Sequence, residues 1–109
     1  MGKGDNLGEL EELIALAVVA LGDDAYGFAV KELLSSDASR TVQLATVHST
    51  LYRLENKGFL RSRMGGSSEY RGGRSKRLFK ITAPGQTALN QKAMARDALQ
   101  LRISNLRTT

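Results

Sequence analysis

The chain has 109 residues, 41% of them hydrophobic and 25% charged, with a net charge of +5 and no cysteine. Such a length holds one domain whose core needs no staples, and the missing thiols exclude disulfides and thiolate metal sites, so a reducing cytoplasmic setting is expected. The longest apolar run, Leu13 to Leu21, is too short to span a bilayer and follows Glu9, Glu11 and Glu12, the wrong flank for a signal peptide; no membrane partner is expected.

The first helix is predicted to start near Asn6, with Asn6 as cap and Glu9 in capping-box position. Leu10, Leu13, Ile14, Ala17, Val18 and Leu21 recur at helical spacing and give it one strongly apolar face, and Gly22 ends it. Asp24 is placed to cap a second, shorter helix carrying Tyr26, Phe28, Val30, Leu33 and Leu34, which fades in Ser35–Ser39. The segment Arg40–Gln43 is β-prone and reads as one small strand.

A third helix is predicted from about Leu44 to Lys57, stopped by Gly58. Leu44, Val47, Leu51 and Leu54 follow an i, i+3, i+7, i+10 pattern and should face the core. Ala45, Ser49, Tyr52, Arg53 and Asn56 fall on the opposite side, with Thr46 and His48 towards its edges. Two strands follow, Phe59–Met64 and Arg77–Thr82, each partly alternating apolar with basic residues; Gly65–Lys76 between them is too long for a tight turn and reads as a basic loop. Thr82 should cap a last helix with Pro84 in its first turn, where a missing N–H does no harm. That helix is expected to continue to about Arg107, ~37 Å, which exceeds what so small a domain needs for its own core. Leu99, Ile103 and Leu106 at its far end therefore need a partner surface.

Three helices, a two-stranded hairpin and a long final helix make a mainly α (α+β) fold. It is a winged helix-turn-helix domain over residues 1–82, with a dimerisation helix over 83–109. The charge is distributed to match. Residues 1–39 carry two bases against eight acids, a net −6; residues 40–80 carry ten bases against two acids, a net +8; the last 29 residues are net +3. Positive charge concentrated in the middle third points to a polyanion, with double-stranded DNA the first candidate. Thr46, His48 and Ser49 would lie nearest the base edges of the major groove, and Arg53 would reach a phosphate or a guanine edge. Arg71, Arg74, Lys76 and Arg77 in the wing would track the backbone or enter the minor groove.

An enzyme is not expected. There is one His and no Cys, and no Gly-rich phosphate loop runs from a strand into a helix. Ser49 and His48 are adjacent on a helix and diverge by about 100°, so they are no nucleophile–base pair, and no His/Asp/Glu group has metal-ligand spacing. The competing class is a winged helix used only as a protein–protein interaction module, for which a basic third helix and a basic wing have no use.

The residues also resemble a known family, the PadR-like transcriptional regulators. The resemblance covers roughly Leu10 to Leu89. It rests on Ala25-Tyr-Gly-Phe-Ala-Val30, on Thr46-Val-His-Ser-Thr-Leu-Tyr-Arg-Leu-Glu-Asn-Lys-Gly-Phe-Leu60, and on Arg71-Gly-Gly-Arg74 leading to Lys80-Ile-Thr-Ala-Pro-Gly85. The family usually has Gly and Tyr where this chain has Ala45 and His48, so an imidazole stands in place of a typical DNA-contacting Tyr. The resemblance implies that Tyr26 belongs to the DNA-binding set. It also implies a homodimeric repressor whose first and last helices pair across a two-fold axis, through Leu10, Leu13, Leu99, Ile103 and Leu106. Relatives respond to phenolic acids or bind planar hydrophobic drugs in the dimer cleft. A small aromatic ligand is therefore a further expected partner, with Phe28, Met94 and Leu99 as lining; ordinary core packing is the competing reading of those three.

Overall fold

A computed structural model describes residues 7–65 and 76–108. Four helices run as α1 Glu9–Leu21, α2 Gly27–Asp37, α3 Leu44–Asn56 and α4 Ala83–Thr108, with a 3₁₀ turn Gly22–Asp24 after α1 and strands β1 Leu60–Met64 and β2 Arg77–Ile81 between α3 and α4. The strands pair antiparallel with Leu60 opposite Ile81 and Met64 opposite Arg77, which forms the wing.

The apolar spacing in α1 to α3 does what its period requires. Ile14 and Val18 of α1, Val30 and Leu34 of α2, and Val47, Leu51 and Leu54 of α3 are buried together with Leu60 and Phe79 of the wing. Fully burying each such side chain contributes about 1.5–3 kcal/mol, and this shared core fixes the angle at which α3 is presented. Gly22 and Gly58, which end α1 and α3, have φ of 62° and 85°, a region other residues enter only with strain.

Several expectations are corrected. Helix α1 begins at Glu9, not near Asn6: the Gly8 N–H donates to Glu11 Oε1 at 2.8 Å, so the acid that reaches back to the helix start is Glu11 rather than Glu9. Asp24 does not cap α2. Its carbonyl accepts the Tyr26 N–H within the turn, and α2 starts at Gly27 behind an extended Tyr26. The β-prone segment Arg40–Gln43 is not a strand. Val42 plugs into the core from an irregular connection, while the Arg40 N–H closes onto the Leu34 carbonyl. The wing's additional backbone partner comes from elsewhere: the Phe79 N–H donates to the Ala25 carbonyl at 2.8 Å, so the link between α1 and α2 occupies that place beside β2.

In α3, Leu44 is 37% exposed rather than in the core. It sits at the first helical position, before the helix has reached the core, and Thr50 is buried instead, its hydroxyl donating to the Thr46 carbonyl at 2.8 Å. Helix α4 is capped as expected, with the Gly85 N–H on Thr82 Oγ1. Ala88 and Leu89 join the core, but the far end leaves it behind: Leu99 is 64% and Leu106 71% exposed. No single helix among the described residues is long and apolar enough to cross a membrane.

Candidate nucleic-acid interface

Helix α3 offers the face expected of it. Ala45, Thr46, Ser49, Tyr52, Arg53 and Asn56 are all exposed. Ser49 Oγ donates to the Thr46 carbonyl at 3.1 Å, and an exposed hydroxyl so placed keeps its lone pairs for an outside donor.

His48, expected among the base contacts, is half-buried beside this face. Its imidazole lies against Gly27, the first residue of α2, where a Cβ would fall within 3.0 Å of Cε1, Nε2 and Nδ1. The ring thus packs α3 against the start of α2. It also stacks on Tyr52, with centroids 6.4 Å apart and planes 22° apart, and Tyr52 in turn meets Phe79 edge-on at 5.9 Å.

Tyr52 is the residue that sequence reasoning passed over. It is exposed and lies between α3 and the wing, with the Arg77 guanidinium carbon 6.0 Å from its ring centre. Arg77 also donates to Ser62 Oγ at 2.9 Å, and that hydroxyl donates to Glu55 Oε2 at 2.7 Å. Arg77 is therefore held at the loop end of the wing strands by contacts to both β1 and α3. Lys76 beside it sits with its ammonium 4.0 Å above the centre of the half-buried Tyr26 ring. Tyr26 is brought into the wing in this way, together with Lys76. The signal for Tyr52 was its position one turn beyond His48 on the outward face.

Arg53 turns the other way. Its guanidinium is 3.9 Å from Glu11 Oε2, while Lys57 Nζ lies 2.9 Å from Glu11 Oε1. Burial of that carboxyl works to raise its pKa. The Gly8 N–H, the Lys57 hydrogen bond and charge and the Arg53 charge outweigh burial and hold it below the ordinary glutamate value. With its side chain 57% exposed, Arg53 keeps reach towards solvent from this anchor. Arg71 and Arg74 lie outside the described residues. Three bases that the sequence reading counted without placing, Arg61, Arg63 and Lys80, lie on the wing face turned away from Ser62, Phe79 and Arg77.

Of the residues assigned to a dimer contact, Leu99, Ile103 and Leu106 are exposed on α4. Leu10 and Leu13 are only partly exposed and pack on the chain's own core. The exposed large apolar residues of α1 are Leu16 and Val19, and Leu16 borders an apolar groove of about 230 Å³ between α1 and α2, with Leu13, Ala17, Ala20 and Leu33. Leu99 lines an open groove along α4 with Lys92, Ala95, Arg96, Gln100 and Ile103; Phe28 and Met94 are exposed and do not belong to it.

The model of the Transcriptional regulator PadR-like family matches residues 15–91. Solved structures agree in fold. A PadR-like transcriptional regulator from Bacillus cereus is 18% identical with a TM-score of 0.71, covering 92% of each chain. A PadR family transcriptional regulator from Eggerthella lenta is 23% identical with a TM-score of 0.66, over 93% of this chain and 88% of that one. A PadR-like transcription factor from Bacteroides fragilis is 22% identical with a TM-score of 0.68, over 89% and 88%. Among curated proteins none matches.

Proposed function

This chain belongs to the PadR-like family of transcriptional regulators, and from that membership we propose that it is a cytoplasmic repressor that binds an operator in double-stranded DNA as a homodimer. Residues 1–82 read the DNA and residues 83–109 join two copies. The observation that carries this reading is the exposed, polar start of α3 at Thr46 and Ser49, linked through the His48 and Tyr52 rings to Arg77 at the loop end of the strands of a basic wing. Thr46 and Ser49 meet base edges in the major groove, His48 sets how α3 is presented, and Arg71, Arg74, Lys76 and Arg77 neutralise phosphates. Two such surfaces across a two-fold axis address half-sites about 34–36 Å apart, or a multiple of that.

Selection of bound fragments from random duplex DNA tests this directly. Enrichment of paired half-sites at helical-turn spacing, with log K falling by roughly 0.9 per unit log salt for each phosphate contact, is the expected result. A protein–protein interaction module would show no useful affinity for any duplex even in dilute buffer. Phe28, Met94 and Leu99 stay exposed in one chain, which leaves them for a cleft that a second copy closes, and a small aromatic ligand entering there releases the operator. Thermal shifts with phenolic acids and cationic aromatics check that step; a flat response across the panel removes it.

A further inference from the structure

The outer face of the wing is built at a cost the fold itself does not explain. Arg61 stands directly opposite Lys80 in the antiparallel register, and Arg63, two residues along the same strand, lies on the same face opposite Leu78. Like charges directly opposite in a sheet are destabilising. Among the described residues none of the three cations forms an ion pair, although Asp23 lies nearby. A neutral residue at any of these positions would relieve the repulsion. These cations also cannot share the phosphates met by Arg77, because alternation turns them to the opposite side of the sheet from Ser62, Phe79 and Arg77.

The same face is concave. Arg61, Arg63, Leu78 and Lys80, together with Ser62 and Phe79 of the same strands and Gly22 and Asp23 of the 3₁₀ turn, line a cavity of about 220 Å³. Two guanidinium groups and an ammonium against the single carboxylate of Asp23 leave the lining net positive, and guanidinium forks match the oxygens of a phosphate group. We infer that the outer face of the wing is a second anion site, taking phosphate esters independently of the recognition helix. The phosphates come either from the backbone of DNA flanking the operator or from a free polyphosphate or nucleotide. Bound phosphate cancels the Arg61–Lys80 repulsion, so occupancy stiffens the wing on which Lys76 and Arg77 are carried.

The test uses the full chain, with Arg61→Gln combined with Lys80→Gln as the site variant. Lys31→Gln combined with Arg40→Gln removes the same charge from positions outside the wing, the exposed face of α3 and α4, and serves as control. In the first arm sodium tripolyphosphate is titrated calorimetrically. The site variant is expected to bind about tenfold more weakly than the parent, and the control is expected to match the parent. In the second arm affinities are compared for duplexes with and without ten flanking base pairs on each side, about one helical turn. If flanking DNA is the source, the longer duplex gains affinity in the parent and control but not in the site variant. Loss in either arm confined to the site variant supports the inference and names the source. Equal behaviour of site variant and control in both arms overturns it. Arg63→Gln alone provides a milder substitution should the double variant fold poorly. A chain that ignores duplex DNA altogether yet shows the first-arm difference keeps this site and loses the operator reading, so the two failures are distinguishable.

Discussion

The imidazole of His48 lies so close over Gly27 that residue 27 has no room for a side chain. This contact joins α3 to the start of α2, and a methyl group at residue 27 would force the His48 ring to move. Gly27→Ala therefore faces two opposed effects. Alanine gains up to about 1 kcal/mol of helix propensity, but its methyl must expel a half-buried ring, and overpacking of that kind costs about 1–3 kcal/mol. In urea denaturation the substitution should destabilise the parent protein, and on a His48→Ala background it should become neutral or stabilising. The same sign in both backgrounds would show that the ring is not held as described.

Glu11 gives stability a defined pH dependence. Its folded pKa lies below the ordinary value because the Gly8 N–H, Lys57 and Arg53 favour the carboxylate against the opposing effect of burial. A depressed carboxylate contributes stability that is present above the unfolded pKa, about 4.3, and lost as pH falls through the folded pKa. Glu11→Gln should cost about 1–3 kcal/mol at pH 7, and the gap between variant and parent should close progressively below the unfolded value. Denaturation midpoints between pH 7 and pH 3 check this; a gap that stays constant with pH assigns the loss to packing.

Much of this was legible in the chain. Periodicity located all four helices and both strands, and Gly22 and Gly58 located two helix ends, because burial and backbone conformation act locally on residue type. What escaped was non-local. Thr41 and Val42 have strand propensity, yet a strand needs an open edge, and the Ala25 carbonyl already pairs beside β2. The site shows the same division. The outward placement of Thr46, Ser49 and Tyr52 follows from 100° per residue. That His48 would turn onto Gly27, and Arg53 towards Glu11, depends on how two helices cross, and spacing along one helix carries no such information.

Roles within the interface separate by their response to sequence and salt. Arg77 is anchored by Ser62 and the Tyr52 ring at the loop end of the wing strands. Arg77→Ala should weaken binding to every duplex and lower the salt slope by about 1, whereas Ser49→Ala should change the ranking among duplexes with the slope intact. The anchoring adds a further expectation: Tyr52→Ala loosens Arg77 and should shift affinity on all sequences in the same direction as Arg77→Ala, but less. Mobility shifts on a selected operator and on scrambled DNA, each at three salt concentrations, distinguish these outcomes. Uniform loss from Ser49→Ala would remove that residue from the base-reading set.

The dimer contact is where exposure discriminates between residues that sequence spacing treated alike. Leu99 and Ile103 on α4, like Leu16 and Val19 on α1, leave much of their surface open to water in a single chain, whereas Leu13 packs on the core. Charging an exposed apolar residue breaks association without unfolding the protomer; charging one that supports the core damages both. Leu99→Glu combined with Ile103→Glu should sediment as a monomer with unchanged helical circular dichroism and lose tight operator binding, since each half-site then pays the full association cost alone. Leu16→Glu combined with Val19→Glu should behave likewise if α1 contributes to the contact. Leu13→Glu should instead lower the denaturation midpoint of the monomer itself. A dimer that survives both exposed pairs would place the two-fold contact on a surface other than α1 and the end of α4.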